Sequence, residues 1–404
     1  MKILIISQHF WPETFKINDL AIELKKMGHE VSVLTGKPNY PEGKYYKGYG
    51  LFKKFKESFN DIQIYRVPII PRGRGSKINL IINYCSFVVL SVLFVLFHRN
   101  TYNLCFVFAS SPITQVYPAL LHKKIFKSST VIWLQDIWPE SVSAAGNINF
   151  SILLDYLERI SKYIYKRSDI ILVQSRAFIP ILEKKGIDKE KIIYCPNWAE
   201  DIFLLKLKKS TLDEVKEKLP KGFIVLFSGN IGEAQGFECI VKAALNTQHV
   251  NEIKWVILGN GRKSEWLRSK IVELNLQDTL YMLGRYPVEM MPYFYYHADA
   301  LLISLKDNPI FSVTIPAKLQ TYMAFGKPII GSINGICAEI IEEAMCGYVS
   351  KAGDYISLAN NIIKIYHMNP EDLKKLGENG KRYYNINFNK QKTVELINYT
   401  INSL

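Results

Sequence analysis

The chain has 404 residues, too many for one ordinary hydrophobic core, so we expect two domains. Hydrophobic residues make up 48% of it, which is ample for packed cores and excludes an intrinsically disordered protein. The formal net charge is +14, and residues 1–200 contribute +11 of this through 27 basic and 16 acidic side chains.

The six cysteines are scattered along the chain and include no C-x-x-C pair. This spacing argues against a structural zinc site and fits reduced, mostly buried thiols in the cytosol. The N-terminus carries one lysine ahead of an apolar run of only about five residues, so we expect a first strand there and not a signal peptide.

Strand and helix patterns alternate along the whole chain, which predicts α/β layers with parallel sheets. The opening unit is a strand at Lys2–Ser7, a helix that Asn18 would cap and Gly28 would end, and a strand at Glu30–Thr35. No glycine precedes Gly28, so this unit lacks the dinucleotide-binding fingerprint. Further strands of the N-terminal half are predicted at Ile62–Val67, Asn103–Phe108, Thr130–Gln135 and Asp169–Gln174.

Residues 44–77 combine nine basic side chains with interleaved aromatic ones and only two acids, Glu57 and Asp61. A patch of this kind is typical of surfaces that meet nucleic acid or an anionic bilayer. The alternative is a plain solvated face of a lysine-rich protein. A nucleic-acid binder is the weakest of these interpretations, because the segment lacks any recognisable binding motif.

Residues 78–97 form an uncharged run of twenty residues, long enough for a helix to cross a bilayer. Three placements are open: a helix buried in the domain, a helix partly embedded in the membrane surface, or a true span. A crossing would put two strands of one sheet on opposite sides of the membrane. Asn79, Asn83 and Ser86 share one helical face, as expected for a helix that packs or lies flat. Three basic residues just upstream would suit lipid phosphate groups in the embedded case: Arg72, Arg74 and Lys77.

A polar stretch at residues 207–221 precedes a second series of strands and helices, and we place the hinge near residues 196–203. The carboxyl ends of parallel strands meet at one sheet edge, where α/β proteins bind ligands. The strands of this half are predicted at Phe223–Phe227, Lys254–Leu258, Leu280–Leu283, Ala300–Ser304 and Ile329–Gly331.

The first of these strands opens into a loop with Gly229, Gly232 and Gly236, just ahead of a helical pattern. Glycines let backbone amides approach a pyrophosphate without a Cβ in the way, and a helix N-terminus adds a partial positive charge. The alternative is a plain connection between a strand and a helix.

Residues 314–328 are predicted to start a helix at Pro316, to carry Lys318 in its first turn and to end in a tight turn at residues 326–328. By itself Lys318 fits an ordinary surface lysine. Together with the glycine loop it offers amides, a helix N-terminus and one cation, which is what a diphosphate needs. The pairing favours a nucleotide-sugar enzyme. Two further strands end in glycine loops that add to this edge, residues 259–262 and 284–287.

Loops at strand ends of the N-terminal half combine carboxylates with aromatic rings, which suits a sugar ring and its hydroxyl groups. Core packing of the tryptophans and helix capping by the glutamates are the alternatives. The loop residues are His9, Trp11 and Glu13 after the first strand, Asn39 and Tyr40 after the second, and Asp136, Trp138 and Glu140 after a later one.

Several catalytic motifs do not occur in the chain, among them H-E-x-x-H, Walker A and G-x-S-x-G. No D-x-D occurs either. In one of the two large glycosyltransferase architectures this pair of aspartates binds the metal that holds the diphosphate, so the chain does not fit that architecture.

The motifs resemble those of the two-domain GT-B glycosyltransferases of family four, and within them the bacterial N-acetyl-L-fucosamine transferases of O-antigen and capsule assembly. The resemblance implies two Rossmann-like domains that face each other across a cleft. It places an acceptor-binding domain at residues 1–198, joined by a returning helix at residues 386–404, and a donor-binding domain at residues 199–385. The matching segments are HFWPE, ELKKMGHEVSVLTGKPNYPEG, LQDIWPESV, the Gly229–Gly236 loop, LGNGR, LGRYP and IPAKLQTYMAFGKP.

The resemblance further implies a retaining transfer from a UDP-sugar, without a metal or other cofactor. Lys318 and the amides of residues 232–236 would stabilise the leaving diphosphate. Asp136 would contact or deprotonate the acceptor hydroxyl, and Glu13 is a further catalytic candidate. The implied donor-binding set is Gly229, Asn230, Gly232, Gln235, Gly236, Gly261, Arg262, Gly284, Arg285, Tyr286, Pro316, Lys318, Gln320 and Thr321. The implied acceptor-binding set is His9, Trp11, Glu13, Asn39, Tyr40, Asp136, Trp138 and Glu140.

The implied acceptor is a saccharide on undecaprenyl pyrophosphate, and the protein would work as a peripheral protein at the cytoplasmic face of the cell membrane. An amphiphilic acceptor accounts for a basic, aromatic excess in the acceptor-binding half. Two rivals stay open: a GT-B sugar-nucleotide 2-epimerase, which would need no lipid acceptor, and a non-catalytic nucleotide-sugar-binding partner.

The chain departs from the family pattern at the donor site. Asn230 and Gln235 occupy places where many members carry an Arg and a Lys, and the usual Glu-x7-Glu pair would fall at Val313 and Thr321. In the family the second Glu of this pair contacts the ribose, so we expect Thr321 or Gln320 to make that contact here. With fewer cations in the loop, Lys318 would neutralise more of the diphosphate charge.

Overall fold

The computed structural model describes residues 1–73, 76–142 and 151–404, which fold as two compact units. The first unit comprises Met1–Pro196 together with Gln391–Leu404, and the second comprises Asn197–Lys390. The returning segment begins later than residue 386, because the preceding helix, Pro370–Asn387, continues past that point.

The described part of the first unit contains one eight-stranded sheet. Its strands are β1 (Lys2–Ile6), β2 (Glu30–Gly36), β3 (Lys56–Phe59), β4 (Ile62–Val67), β5 (Leu104–Ala109), β6 (Ser129–Leu134), β7 (Ile170–Val173) and β8 (Ile192–Tyr194). They follow the order β3-β4-β2-β1-β5-β6-β7-β8, and every neighbouring pair is parallel except β3 and β4. The central strands are buried on both faces, as parallel sheets require; all six residues of β5 are buried.

The described part of the second unit contains a six-stranded, fully parallel sheet. Its strands are β9 (Phe223–Ser228), β10 (Ile253–Leu258), β11 (Leu280–Gly284), β12 (Ala300–Ser304), β13 (Ile329–Ser332) and β14 (Gly347–Ser350). Their order, β11-β10-β9-β12-β13-β14, is that of a doubly wound Rossmann sheet. The predicted fold class of two Rossmann-like α/β domains with parallel sheets is confirmed.

The helices of the described residues cover these sheets. In chain order they are α1 (Lys16–Lys26), α2 (Lys77–Phe97), α3 (Tyr117–Phe126), α4 (Ser151–Arg167), α5 (Phe178–Lys184), α6 (Lys209–Lys218), α7 (Phe237–Thr247), α8 (Ser264–Glu273), α9 (Met291–His297), α10 (Pro309–Val313), α11 (Ala317–Phe325), α12 (Ile336–Glu343), α13 (Tyr355–Tyr366), α14 (Pro370–Asn387) and α15 (Lys390–Asn402). In the second unit, α7 and α13 pack on one face of the sheet around a core that includes Phe227, Trp255 and Ile362.

Helix α1 starts earlier than expected. It begins at Lys16 after Phe15, which provides no side-chain cap, so the prediction that Asn18 caps the helix was wrong. The Asn18 side chain instead accepts a hydrogen bond from the Trp11 amide at 3.1 Å and donates one to the Glu13 carbonyl at 2.7 Å. Asn18 therefore holds the loop that follows β1.

Helix α2 contains the uncharged run and has two unlike faces. Asn83, Phe87 and Ser91 are completely buried, whereas large apolar side chains on other faces, such as Ile78 (70% exposed) and Val89 (56% exposed), lie open. By length and composition the helix could cross a membrane, yet it connects β4 and β5 of one sheet and packs along one face, which disfavours a crossing. Arg74, one of the predicted phosphate contacts, lies outside the described residues.

Candidate active site

The second sheet reverses its winding between β9 and β12, which are neighbours although two strands separate them in sequence. In doubly wound sheets a ligand-binding crevice lies at the carboxyl ends of the strands that flank such a reversal. The Gly229–Gly236 loop follows β9 directly, and α7 begins at Phe237. The predicted diphosphate loop therefore lies at the topological switch point.

Two glycine loops pack against each other at this edge. A Cβ on Gly259 would lie 1.8 Å from the carbonyl oxygen of Gly229, and a Cβ on Gly261 would lie 2.2 Å from that of Ile231. The Gly229 amide donates to the Leu258 carbonyl at 2.8 Å. Since no side chain fits at either contact, the loops after β9 and β10 meet through bare backbone.

Lys318 points at this backbone. It lies in the first turn of α11, whose N-cap is Pro316, and a Cβ on Gly229 would be 2.8 Å from its Cε and 3.0 Å from its Nζ. The Nζ atom also lies 3.7 Å from the centre of the Phe227 ring. Within the described residues no carboxylate pairs with Lys318, and burial lowers its pKa to about 7. An anion placed beside Gly229 would supply the missing counter-charge.

A network of two acids and two lysines joins three loops around the same edge. Glu233 lies 2.8 Å from the Nζ atom of Lys306 and 3.2 Å from that of Lys263, and Lys263 also pairs closely with Glu238. The hydrogen bond from Lys306, aided by Lys263, keeps the pKa of Glu233 below its usual value. The network links the loops after β9, β10 and β12, and its two carboxylates balance its two ammonium groups. The sequence did not predict it.

Asn230 and Gln235 serve the loop itself. The Gln235 side-chain oxygen accepts a hydrogen bond from the Gly232 amide at 3.2 Å, so this amide already has a partner. A Cβ on Gly232 would lie 2.5 Å from the Asn230 side chain. Both side chains therefore shape the loop that was predicted to bind the diphosphate, and Gly236 closes it with a φ of +62°.

Of the two residues suggested for the ribose contact, Gln320 is completely buried. Its amide group, in the orientation that satisfies both atoms, donates to the Pro316 carbonyl at 3.1 Å. The predicted ribose contact by Gln320 is thus not supported, because the side chain is turned into its own helix. The Thr321 hydroxyl donates to the Ala317 carbonyl at 3.1 Å and lies 3.5 Å from a carboxylate oxygen of Glu200.

The loops after β10 and β11 carry the other predicted donor residues. The Gly259 amide donates to the Gly284 carbonyl at 2.7 Å, which joins the ends of these strands. The Tyr286 ring packs 4.6 Å from that of Phe294. Arg262 and Arg285 are exposed at the same edge.

In the first unit, His9 and Glu13 form a buried pair after β1. The Nδ1 atom of His9 lies 2.7 Å from one Glu13 carboxylate oxygen, and the other oxygen accepts hydrogen bonds from the amides of Asn39 and Tyr40 at 2.6 Å each. Glu13 is only 2% exposed. Its carboxylate is fully engaged, so the geometry gives Glu13 a positioning role and does not support the predicted direct catalytic contact.

Aromatic rings surround this pair. Phe15 stacks on His9 with ring centres 5.1 Å apart, and Tyr40, which is 41% exposed, lies 5.5 Å from His9. Trp11 stacks instead on Phe59 at 4.9 Å. The exposed ring beside His9 is therefore that of Tyr40.

Asp136 follows β6 and shares a partner with Trp138. Its carboxylate accepts hydrogen bonds from the amide and the hydroxyl of Ser111 at 3.1 and 3.0 Å, and the indole of Trp138 donates to the same hydroxyl at 3.1 Å. Burial raises the pKa of Asp136, which makes it a stronger proton acceptor than an exposed aspartate. Glu140 lies apart from this group, since its carboxylate pairs with Lys185 at 2.9 Å.

Comparison with known proteins gives the enzyme class of the chain. Residues 208–383 match the family described as glycosyl transferases group 1. "Probable glycosyltransferase WbjE" of Pseudomonas aeruginosa is 25% identical over 270 residues, which are 66% of this chain and 65% of that protein. "Putative colanic acid biosynthesis glycosyl transferase WcaI" of Escherichia coli K12 is 24% identical over 338 residues, which are 81% of this chain and 82% of that protein. The chain is a glycosyltransferase, and its match to the group 1 family is confined to residues 208–383.

Solved structures agree on the fold of this glycosyltransferase. A sucrose-phosphate synthase from Thermosynechococcus elongatus superposes with a TM-score of 0.77 at 16% identity, covering 100% of this chain and 98% of its own. The Anabaena protein HepE in complex with UDP and glucose gives a TM-score of 0.71 at 17% identity and full coverage of both chains. The architecture is GT-B.

The structure gathers the predicted residues of the glycosyltransferase in three groups. Lys318 and the glycine loops meet at the switch point of the second unit. In the first unit His9, Glu13, Asn39 and Tyr40 form one group, and Asp136 and Trp138 another around Ser111. Trp11, Glu140 and Gln320 are turned toward other partners.

Ser111, Lys263 and Lys306 were not predicted as site residues. Ser111 follows β5 and Lys306 follows β12, so the rule that α/β proteins bind ligands at the carboxyl ends of strands could have indicated both. Lys263 follows the glycine loop after β10, so the same rule could have indicated it, but its pairing with Glu233 is seen only in the folded chain.

Proposed function

We propose that this glycosyltransferase moves N-acetyl-L-fucosamine from its UDP conjugate to a saccharide on undecaprenyl pyrophosphate, with retention of anomeric configuration, in capsule or O-antigen assembly. The observation that carries the donor half of this proposal is Lys318, which faces the bare backbone of Gly229 at the switch point and has no carboxylate partner among the described residues. Such a site fits a diphosphate that gains charge as the sugar leaves.

In the proposed reaction the bond between the anomeric carbon and the diphosphate oxygen breaks, and the acceptor hydroxyl attacks from the same face. The ammonium group of Lys318 and the N-terminus of α7 neutralise the departing UDP, so the positive charge comes from the protein and no metal is needed. Asp136, with its raised pKa, receives the hydroxyl proton.

The lipid-linked acceptor is supported by the first unit. Residues 1–200 carry a net charge of +11, and α2 exposes apolar side chains such as Ile78 and Ile81. Each lysine near an anionic leaflet contributes roughly 1 kcal/mol to the free energy of membrane binding, and several together suffice for reversible docking on the cytoplasmic face of the membrane. We therefore propose a peripheral membrane enzyme.

The relatives support the polysaccharide context and the donor class. WcaI is named for colanic acid biosynthesis, and AmsK of Erwinia amylovora, 24% identical over 50% of this chain, is named for amylovoran biosynthesis. HepE has been crystallised with UDP-glucose. These names support transfer from a UDP-sugar in polysaccharide biosynthesis, and the assay below identifies the sugar.

The test is a transfer assay with a panel of UDP-sugars and a short-chain polyprenyl-pyrophosphate saccharide as acceptor, read by mass spectrometry. We expect a mass gain of one N-acetyl-deoxyhexosamine with a single donor, and the NMR coupling of the new anomeric proton should report the same configuration as the donor. The reaction should proceed unchanged in excess EDTA.

Two results would refute the proposal. Conversion of a UDP-sugar to its epimer in the absence of any acceptor would identify an epimerase. Product with an inverted anomeric centre would reject the retaining mechanism, even if the donor and acceptor were right.

A further inference from the structure

Arg72, between β4 and α2, is held firmly in place by its backbone. Its amide donates to the side-chain oxygen of Asn39 at 3.2 Å, and the next amide, of Gly73, donates to the Gly43 carbonyl at 3.0 Å. Asn39 is completely buried and is itself bound to Glu13. The group that positions His9 therefore also positions Arg72.

The guanidinium group of Arg72 contacts polar and aromatic side chains. One of its nitrogens donates to the Tyr84 hydroxyl at 3.4 Å, and its centre lies 5.2 Å from the centre of the Tyr40 ring. Among the residues that the structure describes, no carboxylate forms an ion pair with it. Arg66, in contrast, is buried and paired with Glu57. The charge of Arg72 is thus available to a ligand.

Tyr84 connects this cation to the acceptor group. Burial raises the pKa of the Tyr84 hydroxyl, and Arg72 and Asp136 are both among the charged groups that act on it. The helix that carries Tyr84 is tied to the end of β1, because Gln8 donates to the Asn83 side chain at 2.7 Å. The Gln8 backbone amide also donates to the side-chain oxygen of Gln115 at 3.1 Å, and Gln115 donates to the Ser110 carbonyl at 2.6 Å, next to the serine that holds Asp136. Helix α2 and the loop that binds Asp136 are therefore both tied to the end of β1.

Helix α2 offers an apolar surface from the same point onward. Ile78, Ile81 and Ile82 are 70%, 59% and 40% exposed, and they precede Tyr84 in the first two turns. A molecule with an anionic head on Arg72 and a hydrocarbon tail would place that tail against these side chains. The combination is that of a binding site for an amphiphile.

We propose that Arg72, with the hydroxyl of Tyr84, binds the diphosphate of the polyprenyl-linked acceptor and so sets the acceptor saccharide beside Asp136. The inference rests on the proposed function and adds the group that recognises the lipid end of the acceptor. A guanidinium fork suits two phosphate oxygens better than a lysine does, because it donates two parallel hydrogen bonds.

The decisive experiment compares two acceptors that carry the same saccharide, one on a farnesyl diphosphate and one on a neutral octyl group, in detergent micelles. For Arg72→Gln we expect the KM for the diphosphate acceptor to rise roughly 10- to 100-fold, the loss of a hydrogen bond to a charged group. The KM for the octyl glycoside should not change, and Arg72→Lys should recover part of the loss. Arg159→Gln, which removes an exposed arginine of the same unit, is the matched control and should leave both values unchanged.

A binding measurement tests this inference separately from the proposed function. The protein is titrated with farnesyl diphosphate and with farnesol, and binding is followed by tryptophan fluorescence. Binding of farnesyl diphosphate that Arg72→Gln weakens at least tenfold would uphold the site even if the wild-type protein transfers sugar to neither acceptor. Equal KM increases for both acceptors would overturn it, as would diphosphate binding that the substitution leaves intact. Loss of binding to phosphatidylglycerol vesicles in Arg72→Gln with unchanged KM values would assign the arginine to lipid headgroups and also overturn the inference.

Discussion

At the scale of single residues, the proposed role of Lys318 comes with a cost in stability. Its ammonium group lies against the Phe227 ring and Gly229, and no acid compensates it in the described structure. We expect Lys318→Met to raise the melting temperature of the nucleotide-free protein, because it removes a poorly solvated charge. The same variant should lose roughly 10²- to 10³-fold in kcat, the effect of removing one group that stabilises a developing anion. Thermal melts with and without UDP, and initial rates, test both.

Lys327 is the matched control for this substitution. It is also half-buried, but its Nζ atom donates to the carbonyls of Ala298 and Tyr296 at 2.6 and 2.8 Å. Lys327→Met should therefore lower the melting temperature and leave UDP affinity intact. If the two variants behaved alike, Lys318 would be a structural lysine.

The protonation of Lys318 gives a second prediction. Burial lowers its pKa to about 7 in the free protein, from 10.5 in an exposed lysine, so at pH 8 most molecules carry it neutral. A bound diphosphate favours the charged form and raises the pKa, so UDP binding should take up a proton at pH 8 and little at pH 6. Calorimetry in buffers of different ionisation enthalpy measures this uptake, which Lys318→Met should abolish.

The free protein should show the same group in its pH-dependent stability. Because the folded pKa lies below the unfolded one, the unfolded chain binds more protons between pH 7 and 10.5. The contribution of Lys318 to stability should therefore rise with pH across this window and be flat below it. A difference curve between wild type and Lys318→Met that falls with pH would contradict the assignment.

At the scale of elements, the two faces of α2 should respond differently to substitution. Val89 is 56% exposed and Phe87 is completely buried. The substitution Val89→Glu adds a charge to the exposed face. It should reduce the fraction of protein that floats with anionic vesicles, without lowering the melting temperature of the protein. Phe87→Ala should destabilise the first unit by about 3–5 kcal/mol, the usual cost of emptying a buried phenylalanine site.

Val272→Glu provides the control for an added charge, since Val272 is 63% exposed on α8 of the second unit. It should change neither vesicle binding nor stability. Equal flotation of the Val89→Glu and Val272→Glu proteins would show that α2 does not touch the membrane.

At the scale of the whole molecule, the alternation of strands and helices sufficed to predict both sheets, because central parallel strands are continuous apolar runs. Three edge strands were missed. The sequence of β3, KESF, is polar and pairs at the sheet edge, while β8 and β14 have only three and four residues. The glycine loop and Lys318 were predictable from spacing and strand ends. The roles of Glu13 and Gln320 were not, since only the folded chain shows which atoms their polar groups already bind.

The uneven charge of the molecule predicts how salt should act on it. Residues 1–200 carry +11 and the remaining residues only +3, and the exposed face of α2 is uncharged. Attraction to anionic vesicles should weaken strongly between 0.1 and 1 M salt, where the screening length falls from about 10 to about 3 Å. Apolar contact by α2 does not depend on this screening, so a residual affinity should persist at 1 M salt and disappear in Val89→Glu.

Binding to neutral phosphatidylcholine vesicles at low salt should equal that residual value. If salt left binding to anionic vesicles unchanged, the basic excess would have no part in docking, and if salt abolished binding entirely, α2 would have none.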